Sequence, residues 1–329
     1  MNDHRTTRRT LCRALAAAAL LPALPLARAE ANWPSRPIKW VVPYLAGTGP
    51  DITARILAEA AAPLLGQPIV IENRGGAAGN IGARQVANAA PDGYTWIYSA
   101  APMAANMRMY KSPGYDALKD FRHIMRLTSS DILLIVNADA GIGSLDALVA
   151  RLRAEPARLD YASGGVGTPS HLGVELFLSA TRAQATHIPY KGASELVNAV
   201  VGGQVLFGMP IFSVAYPQVR AGRLKALAVA GPQRNPVLPE VPTMAELGLP
   251  AVELTSWGGV SVPAGTPDAI VARIQAAFEK VLHDPAVAAK VMERGGQVSP
   301  SGTEAYVQDF TREIALTEAM MKRANLQPL

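Results

Sequence analysis

Residues 33–98 constrain the fold of this 329-residue chain more than any other stretch. Twice in succession a short apolar run leads into a Gly-rich turn and then into apolar residues at helical spacing, and a third apolar run follows. The first turn ends in Gly49-Pro50-Asp51, where the glycine can cap a helix, the proline fits its first position and the aspartate complements its positive end. The second turn covers residues 75–82. This order of elements predicts parallel strands joined by helices.

Both predicted turns lie where a strand ends and a helix begins. In a parallel sheet these points share one edge, so two helix N-termini point at whatever lies beyond that edge. Backbone N–H groups and the helix dipole favour an anion there, either a phosphate or a carboxylate. The pattern therefore indicates a binding site.

The N-terminal segment has the features of an export signal. A basic region with Arg8-Arg9 resembles a twin-arginine signal, an apolar run covers residues 14–26, and Ala27-Arg28-Ala29 forms a cleavage site. The apolar run is too short to span a bilayer. We expect cleavage after Ala29 and a periplasmic mature protein, so that residues 1–29 are a signal peptide; the alternative is a disordered basic tail.

Removal of that segment changes the charge of the protein. The segment carries five arginines and one aspartate, so that 26 basic residues face 25 acidic ones in the remainder. The high isoelectric point thus belongs largely to the signal and does not indicate a nucleic-acid partner. The single cysteine, Cys12, leaves as well, so neither a disulfide nor thiol chemistry is expected. The remaining length predicts two lobes.

The second half of the chain repeats the pattern of the first. Apolar runs at residues 133–136, 159–162, 186–189, 205–209 and 224–229 read as strands, and helical spacing follows most of them. Ser144 is placed to cap a helix, and residues 163–171 form another Gly-rich turn. Strands and helices that alternate in this way predict a mainly parallel sheet. The proline-rich residues 232–242 read as an extended connection, and helices are expected after residue 266 and at Asp284-Pro285.

The chain resembles the Bug-type periplasmic solute receptors of tripartite tricarboxylate transporters. The similarity covers nearly the whole mature chain, and the order of its motifs makes it specific. The motifs occupy residues 33–38, 47–52, 66–68, 72–74, 79–82, 90–95, 163–172, 189–192, 202–205 and 241–248.

The resemblance implies an α/β fold of two lobes, a Venus-flytrap (type II-like) binding protein in which the chain crosses between lobes twice, near Asp131 and Glu253. We therefore expect one lobe from residues 30–132 and 253–329 and the other from residues 133–252. The family binds small carboxylic acids in the cleft through backbone amides and waters. Neither enzymatic activity nor a cofactor or metal is expected. The expected partners are a small organic acid and either membrane subunits of a tripartite transporter or a sensor kinase, and the chain is expected to be a monomer.

The motifs carry a set of expected ligand-binding residues in both lobes. The set comprises Tyr44, Ala46, Gly47, Thr48, Gly49, Asn80, Ser99, Ser163, Gly167, Thr168, His171, Tyr190 and Met209. Two alternatives stay open, since His171 either donates to a ligand or bonds its own turn, and Asn80 either contacts a ligand or caps its helix. Asp51 is expected to stabilise its helix start, because it would repel an acidic ligand.

Three departures from the family pattern bear on the ligand. Pro50 lacks an N–H and a hydroxyl where relatives commonly have threonine, Leu206 stands where an aspartate is usual, and Met209-Pro210 replaces a more polar pair. Apolar residues could then line the cleft, or simply fill the core: Met103, Met107, Leu206, Met209, Ile211 and Phe212. If they line it, a monocarboxylate with an apolar or aromatic body is favoured over a doubly charged acid.

An exported dinucleotide-dependent oxidoreductase is the alternative function. Gly47-Thr48-Gly49 follows a strand, and Glu72 stands where an acid could bind a ribose. Against it, Ile52 occupies the third glycine position, and no catalytic acid–base pair is evident in the sequence. A hydrolase is disfavoured because neither G-x-S-x-G nor H-E-x-x-H occurs.

Overall fold

The computed structural model describes residues 33–323 and 326–329. The predicted signal peptide, its cleavage site after Ala29 and the lone Cys12 lie outside these residues. Within the described part, no helix combines the length and the apolar character needed to span a membrane.

The described residues form eleven strands and ten α-helices. The strands are β1 (Ile38–Val42), β2 (Ile69–Asn73), β3 (Thr95–Ala100), β4 (Phe121–Asp131), β5 (Leu133–Asn137), β6 (Asp160–Ser163), β7 (Thr186–Pro189), β8 (Phe207–Gly208), β9 (Leu224–Val229), β10 (Thr255–Pro263) and β11 (Gln297–Ser301). The helices are α1 (Gly49–Leu65), α2 (Asn80–Ala87), α3 (Ala101–Met109), α4 (Leu145–Ala154), α5 (Pro169–Thr181), α6 (Ala193–Val201), α7 (Phe212–Arg220), α8 (Asp268–Leu282), α9 (Pro285–Glu293) and α10 (Thr303–Arg323).

The strands form two sheets, one in each lobe. The first sheet has the order β11-β4-β10-β3-β1-β2 and the second has the order β7-β6-β8-β5-β9. In the first lobe α1, α8 and α9 contribute to one apolar cluster and α2, α3 and α10 to another. In the second lobe α4 and α5 belong to one cluster and α6 and α7 to the other. Each sheet is thus packed between two layers of helices.

The sheets are mixed, so the prediction of a mainly parallel sheet is wrong. β1 pairs in parallel with β2 and β3, and β6 with β7 and β8. The pairings of β10 with β3 and β4, of β4 with β11, and of β5 with β8 and β9 are antiparallel. The cause is the connection between the lobes, because β4 carries the chain into the second sheet and β10 brings it back.

The two crossings run side by side. A single residue, Ile132, separates β4 from β5, while the return passes from β9 through irregular chain to β10. The Ala230 N–H donates to the Ile132 carbonyl and the Leu254 N–H to the Ala230 carbonyl, both at 2.8 Å. Since β4 and β10 also pair directly up to Asp131 and Thr255, the hinge consists of two adjacent, hydrogen-bonded strands.

Candidate functional site

The first predicted turn is held by the carboxylate of Asp51. This side chain is buried, and it accepts from the Gly47 N–H at 2.8 Å, from Arg55 Nε at 3.0 Å and from Asn73 Nδ2 at 2.9 Å. Burial alone would raise the pKa of Asp51, but donation from Arg55, Gly47 and Asn73 holds that pKa below its ordinary value. Asp51 therefore stabilises the start of its own helix, as predicted.

The start of α1 has no capping side chain. Thr48 takes the N-cap position, one residue before the predicted cap Gly49, but its hydroxyl donates to the Leu45 carbonyl at 2.7 Å and does not cap the helix. Ala46 and Gly47 are exposed beside it. The first-turn N–H groups of α1 therefore have no side-chain partners at the end of the sheet. Pro50 contributes no N–H to this turn.

Other helices that begin at the C-terminal ends of strands share this property. α3 follows β3, α5 follows β6 and α7 follows β8, and the first turn of each has neither a capping hydrogen bond nor an acidic residue. By contrast, Ser144 caps α4, as predicted, and Asp284 caps α9, which begins at the predicted Asp284-Pro285. α8 also lacks a cap, but its first turn carries Asp268. The partial positive charge of α3, α5 and α7 is thus available to an anion, whereas Asp51 in the first turn offsets that of α1.

In the second lobe two histidines fix the predicted turn of residues 163–168. Ser163 Oγ lies 2.6 Å from His187 Nε2, and the Gly167 N–H donates to His171 Nδ1 at 3.2 Å. The two imidazoles stack at 4.2 Å between centroids. Burial lowers the pKa of His171 to about 3, with His187 adding to the effect, and burial lowers the pKa of His187 to about 4. Both rings are therefore neutral near pH 7, and an accepting Nδ1 leaves the proton of His171 on Nε2.

Thr168 belongs to the same turn. Its hydroxyl donates to the Gly165 carbonyl at 2.7 Å and lies 2.9 Å from Ser170 Oγ. The structure thus brings Ser163, Gly167, Thr168 and His171 together in one cluster. Sequence reasoning missed His187, whose position on β7 becomes informative only once β7 is paired with β6.

The two lobes meet at glycines. A Cβ atom on Gly49 would lie 3.3 Å from Ser213 Oγ and 3.7 Å from Ile211 Cδ1, both at the start of α7. On Gly167 it would lie 2.9 Å from Cγ of Met109, at the end of α3. The predicted first turn therefore faces α7, and the predicted second-lobe turn faces α3. Sequence reasoning did not assign Ser213 or Met109 to the cleft, because no sequence pattern indicates an approach between lobes.

Three predicted first-lobe residues have polar or aromatic neighbours within the first lobe. Asn80 Oδ1 accepts from Asn106 at 2.7 Å and from the Tyr115 hydroxyl at 2.9 Å, and it does not cap its helix. Ser99 Oγ lies 2.6 Å from Ser261 Oγ and 2.9 Å from the Tyr306 hydroxyl, fully buried. Burial, with Tyr98 and Tyr115 nearby, raises the pKa of Tyr44. The side chains of Asn80 and Ser99 are therefore occupied within the lobe.

Two predicted second-lobe side chains lie apart from the others. The Tyr190 hydroxyl donates to Gln204 at 3.4 Å, and Gln204 borders the start of β6, at the opposite end from Ser163. The backbone of Tyr190 does reach the turn, because its N–H donates to the Ser163 carbonyl at 2.9 Å and its carbonyl lies beside Gly165. Met209 is fully buried and packs over Gly173 of α5. The structure does not bring the Tyr190 hydroxyl or the Met209 side chain to the cluster of Ser163 and His171.

One concavity lies away from the cleft. It holds about 450 Å³ at the outer end of the second lobe, where Asp139, Arg151, Arg158 and Asp160 line it. Between the lobes a gap of about 10 Å³ remains beside Phe212 and Gly295. Phe212 and Gly295 are thus closely apposed across the two lobes.

The carboxylate that a dinucleotide-dependent oxidoreductase would need to bind a ribose is engaged in ion pairs. Glu72, the candidate ribose ligand, pairs with Lys39 at 2.9 Å and with Arg74, and donation from Lys39, Arg74 and Gln85 lowers the pKa of Glu72 to about 2. Among the described residues, no three His, Cys, Asp or Glu side chains are grouped to hold a metal ion.

Comparison with known proteins gives a consistent result. The family model of the tripartite tricarboxylate transporter family receptor matches residues 53–326. Protein BugT of Bordetella pertussis is 34% identical over 283 residues, which cover 84% of this chain and 87% of BugT. The structure resembles Rpa4515 of R. palustris with adipate, with a TM-score of 0.84 and 32% identity over 91% of this chain and 100% of that one.

Two further solved structures are similar over most of their length. The periplasmic binding protein BugD gives a TM-score of 0.81 at 31% identity, covering 90% of this chain and 100% of BugD. MatC from Rhodopseudomonas palustris with bound malate gives 0.79 at 32% identity, covering 88% and 99%. The alternative of an oxidoreductase is therefore wrong, because the family consists of solute-binding receptors and not of enzymes. The chain belongs to the tripartite tricarboxylate transporter receptor family, the Bug-type periplasmic binding proteins.

Proposed function

We propose that this receptor binds a small carboxylic acid in the cleft between its lobes and delivers it for uptake. The observation that carries the proposal is the meeting of α1 and α7, whose uncapped N-termini face each other at Gly49 and Ser213. The start of α7 carries no acidic residue and would attract an anion bound beside this contact, and the first-turn N–H groups of α1 that lack side-chain partners could donate to the same anion. The similar receptors solved with adipate and with malate support a carboxylate as that anion.

The ligand-contacting groups we propose lie in one turn of each lobe. The first is the turn at Gly47, Thr48 and Gly49, and the second is the turn from Ser163 to Thr168 with His171. Tyr44 and Ala46, next to the first turn, complete the proposed contacts. Asn80, Ser99, Tyr190 and Met209 are left out of direct contact, because their side chains are bonded or buried within their own lobes. Each lobe supplies contacts that exist only when the lobes are closed, which is the condition for a ligand to shift the closed population.

Whether the ligand carries one carboxylate or two is inferred from the apolar residues near the cleft. Met103, Met209 and Phe212 are core residues, which removes much of the reason to favour an apolar monocarboxylate. Ile211 and Pro50 remain at the meeting point of the lobes. We keep the monocarboxylate with an apolar body as the hypothesis to be tested against the dicarboxylates that similar receptors hold.

Calorimetry on a panel of benzoate, 2-methylbutyrate, succinate, malate, adipate and citrate tests both the receptor function and the monocarboxylate hypothesis. Binding of any of these acids supports the receptor function, and an acid at a hundred times its dissociation constant should add roughly 2.7 kcal/mol of stability. Tight binding of succinate or citrate without a response to the apolar acids would show that the monocarboxylate hypothesis is wrong. A panel without any binding would contradict the function itself.

The biological setting is also a proposal. We propose a monomer with lobes of residues 30–132 plus 253–329 and residues 133–252, exported with a mature N-terminus at Glu30, and membrane subunits of a tripartite transporter as partners. Terminal sequencing of periplasmic protein tests the cleavage. Uptake of the labelled acid by a strain that lacks the receptor tests the transport role, since uptake at the normal rate would leave sensing as the remaining role.

A further inference from the structure

Ser213 of the second lobe lies between two glycines of the first. On Gly49 a Cβ atom would approach Ser213 Oγ to 3.3 Å, and on Gly295 it would approach Ser213 Cα to 2.5 Å and Ser213 N to 2.9 Å. α9 ends just before Gly295 and packs against α1, which begins at Gly49. Gly49 and Gly295 thus form the surface of the first lobe that contacts the start of α7.

The backbone conformation explains only one of these glycines. Gly295 has a φ of +76°, in the left-handed region, where glycine is favoured regardless of its neighbours. Gly49 does not have a positive φ, and it is the first residue of α1, a position that most residues can occupy. What limits the size of a side chain at position 49 is therefore Ser213, whose Oγ would have to move by a few tenths of an ångström to admit a Cβ atom.

We infer that the contact between Gly49 and Ser213 is a closure contact, in which the missing side chain at position 49 lets α7 settle on α1 and so determines how tightly the cleft closes. A larger side chain at position 49 would hold the lobes apart and lower affinity, because the open form lacks half of the ligand contacts. The inference rests on the proposed function, since closure matters only for a receptor that binds between its lobes. Gly49 and Ser213 act here as positioning residues.

The test is a series of variants with increasing side-chain size at position 49. Affinity is measured by calorimetry with whichever of benzoate, 2-methylbutyrate, succinate, malate, adipate or citrate binds the unmodified protein most tightly. We expect Gly49→Ala to weaken binding about threefold and Gly49→Val at least about tenfold. The decisive variant is Gly49→Val with Ser213→Gly, which removes the obstructing side chain and should recover most of the loss.

A matched control is available in the same lobe. Gly302 also precedes a helix, has no positive φ and has no neighbouring atom within 4 Å of its Cβ position, so Gly302→Val should leave affinity unchanged. Urea unfolding without ligand should be nearly the same for all variants. Small-angle scattering with the acid present should show a larger radius of gyration for Gly49→Val than for the double variant.

The outcomes separate this inference from the proposed function. Unaltered affinity in Gly49→Val overturns the closure contact. A loss that Ser213→Gly does not relieve also overturns it, because the new side chain would then meet the acid and not α7. If the unmodified protein binds none of the six acids in the calorimetry panel, the proposed function fails, and the closure contact fails with it.

Discussion

Glu313 should destabilise the folded protein at neutral pH. It lies on α10 with 4% of its surface exposed, and burial raises its pKa from 4.5 to about 7, with Trp257 opposing the rise and Asp309 adding to it. A tenfold change in an equilibrium constant is about 1.4 kcal/mol, so the difference between the two pKa values amounts to about 3 kcal/mol.

The direction follows from which state releases its proton first. Below pH 4.5 the carboxyl is protonated in both the folded and the unfolded state, and the folded state bears no penalty. As pH rises from 4.5 to about 7 the unfolded state ionises first, so stability falls, and above that range the loss is constant. Replacement of Glu313 by glutamine removes the ionisable group and should therefore stabilise the protein by about 3 kcal/mol at pH 8 and hardly at all at pH 4.

Urea unfolding followed by tryptophan fluorescence measures the effect. All four tryptophans lie in the first-lobe clusters, in the same lobe as the Glu313 contact with Trp257. Glu318→Gln is the matched control, because Glu318 lies on the same helix with 63% of its side chain exposed and pairs with Arg108 at the surface. Equal effects of Glu313→Gln at the two pH values, or no stabilisation at pH 8, would refute the reasoning.

Three further substitutions test other parts of the structure. Asp51→Ala should cost about 3 kcal/mol in urea unfolding, because it leaves the Gly47 N–H and the Asn73 amide without their buried acceptor; a loss below about 1 kcal/mol would contradict this role. Ser144→Ala removes the cap of α4 and should lower stability by about 1 kcal/mol without altering acid affinity in calorimetry. His187→Ala releases Ser163 and should weaken acid binding about tenfold, whereas unchanged affinity would limit His187 to packing.

Local patterns predicted the elements whose causes are local. These elements depend on neighbouring residues. The strand β1, the cap Ser144 and the helix start at Asp284-Pro285 form where they were expected, and α1 begins one residue earlier than expected, at Gly49. β8 is shorter than expected, since only Phe207 and Gly208 pair.

The sequence did not predict β4 and β10, because the residues that stabilise these strands are distant in the sequence. β4 contains Arg122 and Arg126, which break an apolar pattern but are satisfied by the Thr266 and Ser299 carbonyls. β10 contains Gly258 and Gly259, which weaken a strand prediction but admit the rings of Tyr98 and Tyr306. Both features become favourable only after the sheet has formed.

The candidate site was predictable to the level of its turns. The Gly-rich segments at residues 47–49 and 163–168 follow strands and precede helices, so their place at the sheet edge could be inferred. The acceptor role of His171 toward Gly167 and the approach of Ser213 to Gly49 could not, because both depend on side-chain direction and on how the lobes meet.

The central place of β10 in the first sheet governs the order in which the lobes can be completed during synthesis. All five strands of the second sheet precede residue 230, whereas the first sheet lacks the strand between β3 and β4 until residues 255–263 have emerged. A nascent or truncated chain that stops before residue 255 would therefore expose two open strand edges within one sheet, a template for aggregation. The second lobe should be the earlier one to fold, and fragments of the first lobe should become soluble only when the C-terminal segment is supplied with them.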